Sequence, residues 1–385
     1  MKSPFRFGTE ATAADLVDRE AELAEVLWTI EGRDRLFLIG PRRFGKTSIL
    51  SSATAIARAR GDIVVQVNAE EFASLSALAA EIVRQAGEQL RSPLATAVER
   101  AKALFAALNP QITYDPIGNA WSVGVTARSD ARETTYLADA LESLDALAAE
   151  VERPVALIID EFQRVVKAEG LDAERQLRAI IQRHQHVAYV FAGSAESMLL
   201  AMTGDHARPF YRLGSRRFLG PVPRADFRAH IVRGFGLIHL TIAPEAVEAV
   251  LELAGDVPYS VQRLANVAWR TAVVEGHGGE VGRDHIEAAL AHLLQTEAPD
   301  YGATLSELTP SQVKALVAVA RVGGAALTSS ATARRFGLAQ STLRRGLEAL
   351  EARNLIRRVY DGDPTRRYAF EDPFFREWVR RRVKF

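Results

Sequence analysis

Two hydrophobic rhythms alternate along the first half of the chain. Residues 14–31 (ADLVDREAELAEVLWTIE) place Leu16, Leu23, Val26, Leu27 and Ile30 on one side at helical spacing. RLFLIG at 35–40 is an apolar run of strand length, and KTSILSSATAIARAR returns to helical spacing until Gly61. IVVQVNAE at 63–70 predicts a second strand, and a long helical stretch follows from about 74 to 108. A helix with Leu137, Leu141, Leu144 and Leu147 on one face leads into VALIID at 155–160, a fully apolar strand. Helix 172–184, the strand VAYVFAGS at 187–194 and a last strand, RRFLGPV at 216–222, complete the series. Strands without polar alternation, separated by helices, predict an α/β core whose parallel sheet is buried on both faces. Residues 110–128 break this rhythm: Ile112 and Tyr114, then Trp121, Val123 and Val125, alternate around DPIGN and predict an inserted hairpin.

From about Pro223 the strands stop, and residues 224–300 are patterned as helices throughout. Beyond them come a helix over 309–327, a second in SSATARRFG ended by Gly337, and a third in LAQSTLRRGLEALEARN with Leu343, Leu347 and Leu350 inward. LIRRVY and RRYAFED then flank the turn-rich DGDPT. Helix, helix–turn–helix and hairpin in that order predict a winged helix–turn–helix. The tail FEDPFFREWVRRRVKF carries Phe374, Phe375 and Trp378, which would dock it onto that domain. Three domains are expected: residues 1–223 as the core, 224–304 as an all-helical lid and 305–385 as the winged helix. A chain of 385 residues is too long for one ordinary core, which agrees with this division.

Composition narrows the picture mainly by exclusion. Hydrophobic residues at 48% and charged residues at 25% describe a folded globular protein. The net charge is zero, so any polyanion site must be a local patch. Without cysteine there is no disulfide framework and no thiolate metal site. The eight histidines are scattered; His184 and His186 alone sit close together, opening a strand with no acidic residue nearby in sequence. MKSPFRFGTE lacks the apolar region of a signal peptide, and no uncharged apolar run reaches the ~18 residues of a membrane helix. A cytoplasmic protein without membrane contact is the expectation.

The candidate chemistry lies at strand ends. Gly40-Pro41-Arg42-Arg43-Phe44-Gly45-Lys46-Thr47 fits G-x-x-x-x-G-K-[ST] between a strand and a helix, with Ser48 in the first helical turn. Glycines let backbone N–H groups curl around phosphate oxygens, Lys46 reaches the β- and γ-phosphates, and the Thr47 hydroxyl can ligate Mg²⁺. The following helix adds its positive dipole. VALIID delivers Asp160 and then Glu161: Asp160 would hold Mg²⁺ through water, and Glu161 would orient and deprotonate the attacking water. ATP and Mg²⁺ are the expected ligands, and ATP hydrolysis the expected reaction. Ser194, at the tip of the next strand, fits a water-positioning role and fits equally a helix N-cap for ESMLLAM; Ser197 is a weaker candidate. Among Arg208, Arg212, Arg216 and Arg217, Arg212 is the choice for an arginine that completes a neighbouring subunit's site.

Taken in order, LVDREAELAEVL, GPRRFGKTSIL, LIIDEFQ, YVFAGSAESML, RPFYRLGSRRFLGPV and AGDVPYSVQRLANVAW resemble the AAA+/STAND side of the P-loop ATPases, particularly the archaeal-type ATPases. The resemblance spans most of the chain. It implies that Val17, Arg19 and Glu20 lie near the adenine and that Gly255 to Pro258 is a one-residue-longer form of the nucleotide-sensing G-x-P motif, with Arg263 as an alternative contact. It also implies a sheet in which the phosphate-loop strand lies between the neighbours of the Asp160 strand, a helical lid, and an ATP-driven switch able to form a homo-oligomer.

In a winged helix the third helix enters the major groove with its N-terminal residues over the bases. Gln340, Ser341, Thr342, Arg344 and Arg345 hold that end here, and Arg366 and Arg367 in the wing are placed to reach phosphate or the minor groove. Basic residues outnumber acidic ones roughly two to one in this segment, which favours double-stranded DNA. Two functions are open at this point. One is an ATPase switch coupled to DNA binding; the other is a STAND-type signalling or defence ATPase whose winged helix holds a protein partner or an autoinhibited state.

Overall fold

The computed structural model describes residues 3–9, 12–89, 110–115, 120–125, 133–194, 196–274, 276, 279–323, 327, 329–359 and 367–383. Contacts divide the chain into two compact units: Glu10–Gly220, and Met1–Thr9 together with Pro221–Phe385.

The first unit runs α1 (Glu20–Gly32), β1 (Arg35–Ile39), α2 (Lys46–Arg60), β2 (Ile63–Asn68), α3 (Leu75–Glu88), β3 (Pro110–Asp115), β4 (Ala120–Val125), α4 (Glu133–Glu150), β5 (Val155–Asp160), α5 (Gln163–Arg183), β6 (Val187–Gly193), α6 (Glu196–Gly204) and β7 (Ser215–Phe218). Five strands form one parallel sheet in the order β2-β5-β6-β1-β7. Every residue of β5 and β6 is buried, because helices cover both faces. Parallel strands all end on one edge, so the tips of β1, β5 and β6 are brought together there. The sheet order differs from the one the resemblance implies: β1 lies between β6 and β7, and β6 separates it from the Asp160 strand. β6 thereby lies between the strand that leads into the phosphate loop and the strand that carries the acidic pair.

β3 and β4 pair antiparallel as the predicted hairpin, with Tyr114 opposite Trp121. Its tip, and the part of the expected 74–108 helix beyond Glu88, lie partly outside the described residues. α5 starts nine residues earlier than the periodicity predicts, and Gly170 (φ 73°) interrupts it; the expected start at 172 is the resumption after that break. His184 does have an acidic neighbour: Glu142 of α4 approaches its Nε2 at 3.3 Å, and the Tyr189 hydroxyl lies 2.6 Å from its Nδ1.

The second unit continues with α7 (Arg224–Gly236), β8 (Thr241–Ile242), α8 (Pro244–Leu253), α9 (Pro258–Val274), β9 (Glu280–Val281), α10 (Arg283–Thr296) and α11 (Ala298–Ser306). β8 and β9 form a short parallel pair, so strands do not end at Pro223 as the patterning predicts; two-residue strands leave no periodicity to detect. The winged helix follows as α12 (Pro310–Val322), α13 (Ser330–Arg335), α14 (Gln340–Ala352), β10 (Ile356–Val359), β11 (Arg367–Phe370) and α15 (Pro373–Arg382). Leu343, Leu347 and Leu350 are buried as predicted, and at Gly346 an added Cβ would stand 3.0 Å from the Ala315 methyl. Phe374 and Phe375 are buried, and the Tyr301 ring packs at a tilt against Phe375 at 4.9 Å and the half-buried Trp378 at 5.8 Å. The N-terminal segment belongs to this unit. Phe5 is buried against His230 and Phe235, and its carbonyl accepts a hydrogen bond from the Asn266 amide at 2.6 Å.

Candidate active site

The loop after β1 is shaped by its two glycines. A Cβ at Gly40 would fall 2.7 Å from the Leu219 Cβ and 2.9 Å from its carbonyl oxygen, so only glycine lets the chain beyond β7 pack there. Gly45 has φ 94°, which turns the loop into α2 and leaves the first N–H groups of that helix facing the loop's hollow. Lys46 is buried, and its Nζ donates to the carbonyls of Gly40 and Pro41, both at 2.9 Å. Arg42 and Arg43 are exposed, Pro41 and Phe44 are buried, and Thr47 and Ser48 are half-buried. Phe44 is an apolar, buried member of the loop and brings no polar side chain to it.

The acidic strand end meets the loop directly. The Thr47 hydroxyl donates to one Asp160 oxygen at 2.6 Å, and the Glu161 N–H donates to the other at 2.9 Å. Glu161 itself sits at φ 51°, a conformation that costs a non-glycine residue on the order of 1–3 kcal/mol. Phe162 holds it there, being buried 4.5 Å from the Phe191 ring and 5.5 Å from the Phe210 ring, with its N–H on the Ala192 carbonyl at 2.9 Å. The Ser194 hydroxyl donates to Glu161 at 2.8 Å, and Arg42 Nε reaches that hydroxyl at 3.4 Å while pairing with Glu70 at 3.3 Å. Ser194 thus bonds the Glu161 carboxylate, a contact distinct from both roles that the sequence offers, water positioning and helix N-cap. The side chain of Ser197 is outside the described set.

Gln163 is a site residue that the sequence does not announce. Its Nε2 donates to the same Glu161 oxygen, and its buried Oε1 has no hydrogen-bond partner among the described residues. The only signal is its position two residues after Glu161 in DEFQ. Burial pushes the Glu161 carboxyl up, but the Gln163 hydrogen bond, the Lys46 charge and the Ser194 hydrogen bonds outweigh it and hold the group below its ordinary value. Glu161 is thus an ionised carboxylate at neutral pH.

Val17 is half-buried and Glu20 exposed, whereas Arg19 is buried and donates to the Gly220 carbonyl at 2.7 Å. Arg19 and Leu219 thus tie the segment after β7 to the loop's side of the unit. Arg212 precedes β7, which runs parallel to β1, so it stands at the sheet edge opposite the phosphate loop. It is exposed, with φ 54° and its guanidinium 5.0 Å over the Tyr211 ring. Arg208 is instead paired with the buried Glu174, and Arg217 with Glu22 and Glu25.

In the second unit Asp256 pairs with Arg224 at 2.9 Å, and a Cβ at Gly255 would lie 3.3 Å from Pro373 of α15. Pro258 opens α9. Arg263 is engaged by Glu297 and lies between the rings of Phe7 (6.0 Å) and Phe374 (5.9 Å). On α14, Gln340, Ser341, Arg344 and Arg345 are exposed and Thr342 is half-buried. Arg366 lies outside the described residues, as does the side chain of Arg367.

Residues 16–212 match the model of a family described as an ATPase domain predominantly from Archaea. The chain belongs to that family. Residues 299–381 match a second model, described as a probable winged helix domain. No curated protein sequence matches the chain. Among solved structures, a Walker-type ATPase of Pyrococcus abyssi is similar over 98% of this chain and 99% of its own, at 17% identity and TM-score 0.63. The ORC2 protein of Aeropyrum pernix, in ADPNP–ADP complexes, is similar over 98% and 96%, at 13% identity and TM-score 0.57. At such identities these structures speak for the fold. The family, with the loop and acidic strand just described, makes this archaeal-type ATPase a nucleotide-binding, ATP-hydrolysing protein with a C-terminal winged helix. Among the described residues no helix is long and apolar enough to cross a membrane.

Proposed function

We propose that this ATPase is a Mg²⁺-dependent switch whose nucleotide state governs how its winged helix grips duplex DNA. The Thr47–Asp160 contact at 2.6 Å supports the cation, because two hard oxygen donors suit Mg²⁺. When bound, the ion would neutralise charge on the β- and γ-phosphates. The loop amides from Gly40 to Ser48 cradle phosphate, and Lys46 exchanges its two carbonyl partners for phosphate oxygens. Glu161, kept ionised by its neighbours, accepts the proton of the attacking water. Ser194 and Gln163 hold Glu161 in place, Val17 and Arg19 flank the base, and Pro258 and Arg263 belong to the lid that senses nucleotide. Arg212, on the opposite sheet edge, serves the site of a neighbouring copy in a homo-oligomer rather than its own.

The DNA reading is carried by the N-terminal face of α14. Gln340, Ser341, Arg344 and Arg345 are exposed there, and no carboxylate pairs with Arg345 among the described residues. An uncompensated arginine at the leading end of a recognition helix suits phosphate and base edges.

Steady-state ATP hydrolysis, with and without duplex DNA, tests the proposal beside Glu161→Gln. Stimulation by DNA, with turnover lowered about 10²- to 10⁴-fold in the variant, is expected. Hydrolysis indifferent to DNA, together with DNA retention that does not weaken with salt, would instead favour the signalling switch with a protein partner.

A further inference from the structure

The two edges of the central sheet are finished differently. At the β2 edge, Gln85 of α3 and Gln89, four residues on and just past the helix end, turn their amides onto the strand backbone. Gln66 N–H donates to Gln85 Oε1 at 3.1 Å, and Gln85 Nε2 donates to the Gln66 carbonyl at 2.9 Å. Val64 N–H donates to Gln89 Oε1 at 2.9 Å, and Gln89 Nε2 returns to the Val64 carbonyl at 3.0 Å. These two side chains occupy the positions another strand would take, and the edge is closed.

Among the described residues the β7 edge has no such cover. Leu219 N–H bonds to the Ile39 carbonyl at 2.7 Å, and Ile39 is in register with Phe218. In a parallel ladder this turns the backbone groups of Ser215 and Arg217 toward β1 and those of Arg216 and Phe218 outward. No described side chain bonds to those outward groups. Beside them lies a cleft of 490 Å³ lined by Tyr211, Arg212, Arg216 and Phe218. Phe218 is 52% exposed, and Arg216 lies 6.0 Å over its ring. Neither Arg212 nor Arg216 has a carboxylate partner among the described residues, although Arg208 and Arg217 of the same stretch both do.

We propose that β7 is a docking strand for an extended acidic segment of a protein partner. The segment adds as a sixth strand on the backbone of Arg216 and Phe218, whose side chains share one face, and on that face sets a carboxylate against Arg216 and, two residues along, an apolar side chain over Phe218. Charge at an edge is also a guard against aggregation, but a guard does not account for an exposed phenylalanine and a cleft at the same place. A second copy of this chain is a poor occupant, because pairing β7 with itself sets arginines against arginines. The strand leads straight to Leu219, which packs on Gly40, so a docked segment ends beside the phosphate loop.

The test is fluorescence anisotropy of the full chain with a labelled peptide repeating glutamate-threonine-valine-threonine, which presents glutamate and valine in turn on one face. The structure predicts saturable binding, weakened about tenfold or more in Arg216→Glu and weakened in Phe218→Ala, with basal ATP hydrolysis unchanged in both. The same peptide with lysine in place of glutamate should bind Arg216→Glu better than the unaltered chain. Methylating alternate backbone nitrogens of the glutamate peptide should abolish binding to the unaltered chain, which checks strand addition without altering the protein. Equal binding of the methylated peptide, no binding of the glutamate peptide, or an Arg216-dependent response to duplex DNA or self-association alone would each overturn the proposal.

Discussion

Phe5 and Gly234 form a pair whose coupling can be worked out before it is measured. The Phe5 ring is 1% exposed, and a Cβ built at Gly234 on α7 would lie 2.7 Å from its Cε1 and closer still to its Cζ. Phe5→Ala removes a buried aromatic ring, at a cost of about 3–5 kcal/mol. Gly234→Ala gains about 1 kcal/mol of helix propensity but overpacks against the ring at about 1–3 kcal/mol, so alone it is neutral or destabilising. With the ring gone the added methyl enters vacated space, and the same change stabilises by about 1 kcal/mol. The coupling is therefore about 1–3 kcal/mol, and the double variant is more stable than Phe5→Ala alone. Urea unfolding followed by tryptophan fluorescence reads this, since Trp269 is buried and Trp378 half-buried in the same unit. A strictly additive cycle, or a Phe5→Ala variant as stable as the parent, would refute the packing argument.

The remaining predictions concern the site, the winged helix and the closed sheet edge. Because the Glu161 pKa is depressed, its charge is complete at neutral pH and is lost only as pH falls through a value below its ordinary ~4.3. Ser194→Ala removes the hydroxyl hydrogen bond that helps to lower it and keeps the backbone one, so the acid limb of kcat should move to higher pH; an unmoved limb would show that the Ser194 hydroxyl does not tune this group. Arg344→Ala and Arg345→Ala should each reduce the slope of log affinity for duplex DNA against log salt by about one, measured by filter binding; unchanged slopes would remove α14 from the DNA contact. Gln85→Leu with Gln89→Leu strips four hydrogen bonds from β2, and a loss of about 2–4 kcal/mol with increased light scattering is expected. A monodisperse double variant of parental Tm would contradict the edge-capping role.

What can be seen in the sequence follows from which residues have periodic neighbours. VALIID is β5 to the residue, because a strand buried on both faces must be apolar without interruption. The Gly40–Thr47 spacing is equally visible, since its chemistry tolerates few substitutions. α5 is harder: its first turns carry Arg164, Lys167 and Glu169, and the apolar stripe becomes regular only beyond Gly170. β8 and β9 are out of reach, because two residues cannot display a period.

The site shows the same boundary between local and tertiary information. Lys46, Thr47, Asp160 and Glu161 are visible because each belongs to a short motif. Gln163 becomes a site residue only once Glu161 takes φ 51° and Phe162 drops into the aromatic cluster, which points the next side chain back over the carboxylate. The two sheet edges are a stronger case. Gln85 and Gln89 look like solvated helix residues, and Arg216 and Phe218 look like the end of an ordinary strand, until the order β2-β5-β6-β1-β7 makes both strands outermost. Strand order is set by crossovers of many residues and leaves no local mark. For that reason the chemistry of ATP can be read along this chain, whereas the surface that would receive a partner is found only after the strands have been placed side by side.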